Sequence, residues 1–192
     1  MANQAADDAS AITMKSYRII NNYANSNIAF QGLSGIFGFP ATILVDGAVI
    51  FTHYAPMIDK IRELYGRRPI EKDSLMLITR NISNEIMFDI VVDKVLGQVP
   101  LMGVYFNAIC AKTLTWRLGM LFSILSAKGE TINVEHVKKI MDLIRYLSPQ
   151  KDIFKFAKPD YSTYERVMNS VYDNSEEVFK NRIDEALKAF EI

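Results

Sequence analysis

The chain has 192 residues, 22 basic and 22 acidic side chains, and 49% apolar residues, which fits one folded domain or one domain with a small appendage and excludes a disordered tail protein. A neutral chain lacks the basic excess of a dedicated nucleic-acid binder, so no nucleic-acid partner is expected. The single cysteine, Cys110, excludes an internal disulfide framework and a thiolate zinc cluster.

Met1 to Ser10 carry Asp7 and Asp8 and no cation, so no secretory leader is expected there, and one free thiol suits a reducing cytoplasm. Asp7 to about Gln31 reads as a helix, with Ile12, Tyr17, Ile20, Tyr23 and Ala24 near helical spacing. Gly32 to Phe39 reads as a loop, and Pro40 suits the first turn of the next helix. That helix should reach Tyr65, with a kink or break at Pro56. Gly66 suits a left-handed cap, and Arg67 and Arg68 suit the negative helix end. A third helix is expected from about Glu71 to Leu96, stopped by Gly97. A fourth should run from Pro100 to about Ala127, with Gly129 as terminator.

Asn133 then caps an amphipathic helix whose stripe is Val134, Val137, Ile140, Met141, Ile144 and Leu147. Ser148 to Pro159 reads as a lysine-bearing linker. Two short amphipathic helices follow, about Asp160 to Tyr172 and Ser175 to Ala189. No stretch alternates long enough for a strand. The expected fold is an all-α bundle built on two apolar helix hairpins, with residues 1–147 as the main domain and 148–192 as a charged C-terminal helical segment.

Charge is distributed unevenly. From Ile19 to Ile58 the only formal charge is Asp46, and from Val95 to Ala127 only Lys112 and Arg117. These two apolar blocks, 19–58 and 95–127, are broken by Asn, Gly and Pro, which disfavours a clean membrane span of roughly 20 apolar residues. Both a buried core helix and membrane insertion remain open, because neither leaves a polar stripe. A carboxylate such as Asp46 amid apolar residues needs a partner, and Lys112 and Arg117 are the candidates.

The motifs for chemistry are thin. Gly32, Gly35 and Gly38 lack the strand and lysine of a phosphate loop, and Ser34 misses the spacing of a nucleophile elbow. His53 and His136 have no ligand spacing, and Cys110 lies in an apolar run. No catalytic residue, metal or cofactor is expected. Lys151 to Lys158 interleaves cations with Phe154 and Phe156, a pattern found in solvated linkers and at lipid interfaces or acidic partners.

Phe39-Pro40, the mid-block Asp46 and Met57 to Gly66, followed by Val99-Pro100-Leu101-Met102-Gly103, Asn107-Ala108 and the apolar run Thr113 to Leu125, resemble a GTPase-associated helical domain family. It includes the C-terminal domain of YcjF-type proteins and the related EcsC-like proteins. The resemblance covers about Ile28 to Ala127, half the chain. It implies an all-α fold, frequent membrane association and a GTPase as partner class, with no catalytic residues to carry over; no GTPase domain is expected within these residues.

The expectation is therefore a non-enzymatic helical domain that meets a membrane surface or a protein partner through its inter-helix turns. Contact would be made by Ile36, Phe37, Phe39, Val99, Leu101 and Met102, at the cytoplasmic face of the membrane. The alternative is a soluble regulatory or immunity-type binding module with both blocks buried as core.

Overall fold

The computed structural model describes residues 2–34, 47–81, 100–129, 134–147 and 156–172. Among them are six helices and no strand: α1 (Ala2–Ser34), α2 (Gly47–Leu64), α3 (Lys72–Asn81), α4 (Pro100–Lys128), α5 (Val134–Leu147) and α6 (Tyr161–Tyr172). The all-α expectation holds.

The bundle is organised around α4. Its composition offers no polar stripe, and a helix of that kind is stable in water only when covered on all sides. Here α1, α2, α5 and α6 all pack against it, α1 most extensively. Every residue from Thr113 to Ser126 is buried. Trp116, Met120, Leu121, Phe122 and Ile124 are wholly inaccessible and share one core with Ile20, Tyr54, Met57, Ile61, Leu75, Ile140, Met141, Ile144, Tyr164 and Met168. The expected α5 stripe is buried at Val137, Ile140, Met141 and Ile144. Tyr164 and Met168, expected in the C-terminal segment, belong to the same core as Trp116.

Helix ends follow their local chemistry. After α2, Gly66 takes φ +66°; its amide donates to Glu63 O (2.9 Å) and that of Arg67 to Arg62 O (2.9 Å), the paired bonds of a Schellman cap. After α4, Gly129 takes φ +72° and donates to Leu125 O at 3.0 Å, the simpler left-handed cap. Before α6, Asp160 accepts from the Thr163 amide (2.8 Å), Thr163 Oγ1 (2.8 Å) and Ser162 Oγ (2.6 Å), satisfying donors that an uncapped first turn would leave open.

Two expectations need correction. Helix α1 continues through Gly32 to Ser34; a glycine in a last turn costs only about 1 kcal/mol against alanine and does not have to end a helix. Of the kink or break expected at Pro56, the break does not occur: helix α2 is continuous from Gly47 to Leu64. Thr52 and Pro56 are both exposed, so the carbonyl that proline deprives of a donor lies on the watered side. The expected loop 35–39, the stretch Pro40 to Asp46, the rest of the third helix to Leu96, the cap at Asn133 and the helix at 175–189 lie outside the described residues.

Candidate functional site: the charge-free end of the bundle

The contacts fix how the helices run. Ile20 of α1 packs onto Gly119 of α4. One turn back along α1, Ser16 Oγ lies 2.6 Å from Tyr164 Oη, which in turn lies 2.9 Å from Ser123 of α4. As α1 descends from 20 to 16, α4 ascends from 119 to 123, so the two are antiparallel. Helix α2 runs the other way. Lys60 lies over the Tyr23 ring at 5.3 Å, while Arg67, just past its end, donates from Nε to Ser126 O (3.0 Å) near the end of α4.

The C-terminal end of α1 and the N-terminal ends of α2 and α4 therefore converge on one end of the bundle. That end carries no formal charge in any of the three helices. After Arg18, α1 has none; α2 has none before Asp59; α4 has none before Lys112. The segments concerned are Ile28–Ser34, Gly47–Phe51 and Pro100–Ala111.

This geometry places some of the expected contact residues. Leu101 and Met102 lie in the first turn of α4, at the charge-free end. Val99 directly precedes that helix in sequence, and Ile36, Phe37 and Phe39 follow within five residues of Ser34; these four lie outside the described residues. So does Asp46, and the pairing expected for it is a matter of its two candidate partners. They differ. Lys112 is half-buried, with Nζ 5.6 Å above the Phe156 ring. Arg117 is completely buried in α4, where a guanidinium requires an anion or several acceptors.

Residues 156–160 close the bundle between α1 and α4. Tyr17 Oη donates to Pro159 O (2.9 Å), and the Tyr17 ring meets Trp116, Tyr161 and Tyr164 at centroid distances of 5.0, 5.3 and 5.4 Å. Lys158 lies 5.0 Å above Tyr17 and reaches Asn21 Oδ1 at 3.4 Å. Phe156 packs on the core. The end of the lysine-bearing linker is thus a strap seated on aromatic rings.

Sequence reading by apolar spacing misses the polar residues that join α1 to α4. Thr13 and Ser16 are fully buried in α1, as are Thr115, Ser123 and Ser126 in α4. They sit on the same faces as Ile20 and Gly119. The signal was a small residue on each turn of α4, Thr115, Gly119 and Ser123, matched by Ser16, Ile20 and Ala24 on α1, a pattern suited to close approach of two helices. Three of these five hydroxyls return to their own helix backbones, Ser16 to Thr13 O (2.9 Å), Thr115 to Ala111 O (2.8 Å) and Ser123 to Gly119 O (2.8 Å), which lets them be buried, whereas Thr13 Oγ1 and Ser126 Oγ make no hydrogen bond among the described residues.

Arg62 sits under opposing influences at the far end of α2: burial lowers its pKa, Asp59 raises it and Arg67 lowers it further. Among the described residues no group of three His, Cys, Asp or Glu side chains could hold a metal ion, and no helix is long and apolar enough to cross a membrane. Compared with known proteins, the chain matches no family model, no curated protein and no solved structure.

Proposed function

We propose that the protein is a non-enzymatic helical module that associates with a membrane surface through the charge-free end of its bundle. The observation that carries this reading is the convergence of three uncharged helix ends, from segments far apart in sequence, on one end of the fold. Ile36, Phe37, Phe39, Val99, Leu101 and Met102 all lie within or next to those ends in sequence. Burying such side chains is worth roughly 1.5–3 kcal/mol each, so three or four suffice to hold the domain on a bilayer without a span. A protein partner, of which a GTPase is the class implied by the family resemblance, is the other occupant this end could take. The site of action would be the cytoplasmic face of the membrane.

A second reading, a regulatory or immunity-type protein-binding module with its apolar blocks as core, is favoured by the unbroken burial of Thr113 to Ser126. The double variant Phe37→Ser/Phe39→Ser separates the two. On the membrane reading it abolishes flotation with vesicles and leaves the melting temperature nearly unchanged. Unfolding of the variant would assign these residues to the core and favour the second reading. If neither quantity moves, contact is not made at this turn.

A further inference from the structure

We infer that Thr13 of α1 and Ser126 of α4 hold a buried water molecule between them, a solvent-binding site built into the seam where the two helices meet.

Two contacts set the register of this seam. Ile20 packs on Gly119, and one turn away Ser16 and Ser123 share the phenol oxygen of Tyr164, at 2.6 and 2.9 Å. Each step up α4 matches an equal step down α1. Thr13 lies seven residues before Ile20, and Ser126 lies seven residues past Gly119, so the same register sets these two at one level. Seven residues complete two helical turns to within about 20°. Both residues therefore stand on the stripes that carry Ile20 and Gly119, facing the seam.

The other hydroxyls buried in these helices all have acceptors. Thr113, Thr115 and Ser123 donate to carbonyls four residues back, and Ser16 reaches Thr13 O. Thr13 Oγ1 and Ser126 Oγ take no such return. Both are closed off from the surface, and neither bonds to any protein group among the described residues, the other hydroxyl included. A buried hydroxyl left in that condition forfeits the bonds it made in bulk water and gains none, which folded chains avoid by supplying a partner.

The level next to this one shows what kind of partner fits. There the seam is joined by a single oxygen, that of Tyr164, which bonds to one hydroxyl on each side. Contacts along α6 run from Tyr161 at Tyr17 to Glu165 at Ser10, so the turn after Tyr164 follows α1 toward Thr13. That turn supplies Val167 and Met168, both buried and without a hydroxyl. A water molecule makes the same two bonds as the phenol, accepting from one hydroxyl and donating to the other, and it needs no chain to carry it there.

The test is oxygen-17 relaxation dispersion of water in solutions of the full chain, which counts water molecules held inside a protein and is blind to hydroxyl protons. The amplitude should fall by about one water from wild type to Thr13→Val/Ser126→Ala. Thermal unfolding should show the double variant losing less than the two single variants combined, because removing one hydroxyl strands the other and removing both strands neither. An unchanged amplitude in the folded double variant, or strictly additive losses, would overturn the site. Where the double variant does not fold, electron density from wild-type crystals decides. An ordered peak within about 3.2 Å of both oxygens is expected; hydroxyls turned back to Ala9 O and Phe122 O, with no peak between them, would overturn it. None of these results bears on the membrane reading.

Discussion

The guanidinium of Arg67 lies over Gly129, joining the cap of α2 to the cap of α4. A side-chain carbon built at Gly129 would collide with Arg67, coming within 2.8 Å of Cζ, whereas one built at Gly66 would meet nothing within 4 Å. Both glycines hold positive φ. Gly66→Ala should therefore cost only the left-handed backbone penalty, about 1–2 kcal/mol. Gly129→Ala should cost slightly more, because the guanidinium end of Arg67 must also swing aside. Urea unfolding of the two variants, and of Gly129→Ala/Arg67→Ala, gives the comparison; equal losses for the two glycines would contradict the contact.

Gly119 should tolerate no side chain while Ile20 is present. A carbon added there falls 2.5 Å from Ile20 Cγ1 and 2.9 Å from Cδ1, closer than nonbonded carbons approach. Gly119→Ala is expected to destabilise by about 1–3 kcal/mol through overpacking, and Ile20→Ala by about 2–5 kcal/mol through a cavity. The double variant should lose less than the two losses combined, since each change relieves the other. Strict additivity in thermal unfolding would show that the helices do not meet at this pair.

Arg117 has no access to water, whereas Lys112 has. Removing the Arg117 charge leaves the groups that hold it unpaired inside the bundle, so Arg117→Met should cost about 3–5 kcal/mol, against no more than about 0.5 kcal/mol for Lys112→Gln. Asp46 precedes Gly47, the start of α2, at the charge-free end, and Arg117 lies seventeen residues, about 25 Å, along α4 from Pro100 at that same end. Asp46→Asn and Arg117→Met should therefore add without coupling in urea unfolding; a coupled double-mutant cycle would restore the pair.

Asp160 predicts a specific acid response. Hydrogen bonds from Ser162 and from the amide and hydroxyl of Thr163 hold its carboxyl well below the usual range. Its folded pKa is thus depressed, so its contribution is complete above the unfolded value of about 4 and fades as pH falls toward the folded one. Between pH 7 and 5 it should change nothing. Asp160→Asn keeps a good cap but cannot titrate, so below about pH 4 its stability should fall less steeply than wild type in urea midpoints measured against pH. Parallel curves would rule out this linkage.

The sequence made the helix ends legible wherever one residue type has one physical use. Pro100 at a first turn, Gly66 and Gly129 at left-handed caps and the α5 stripe all rest on local rules that tertiary contacts did not override. Spacing could not decide whether α4 is core or lipid-facing, because a helix apolar on all sides looks the same in either surrounding; only the packing of α1, α2, α5 and α6 around Thr113 to Ser126 assigns that stretch to the core. The seam of Ser16 and Ser123 was legible only as a spacing of small residues, not as buried polar contact. Hydroxyls count as polar in an apolar-period reading, and what buries them is a tyrosine more than 140 residues from Ser16 in the chain. The charge-free end was half visible, as uncharged blocks. That the blocks meet at one end depends on the antiparallel run of α1 and α4, which no local pattern encodes.

The place of α4 at the centre of the bundle imposes an order of events on synthesis. Ile20 and Gly119 are about a hundred residues apart, and ribosomes add about 5–20 residues per second. For roughly 5–20 s α1, and for roughly 3–13 s α1 and α2 together, exist without the helix that covers Tyr17, Ile20, Met57 and Ile61. In that interval the nascent chain displays an incomplete apolar cradle, the surface that aggregates or attracts chaperones. The newborn protein is thus most vulnerable before residue 128 has been made, and a pause in translation upstream of Pro100 should lengthen that exposure.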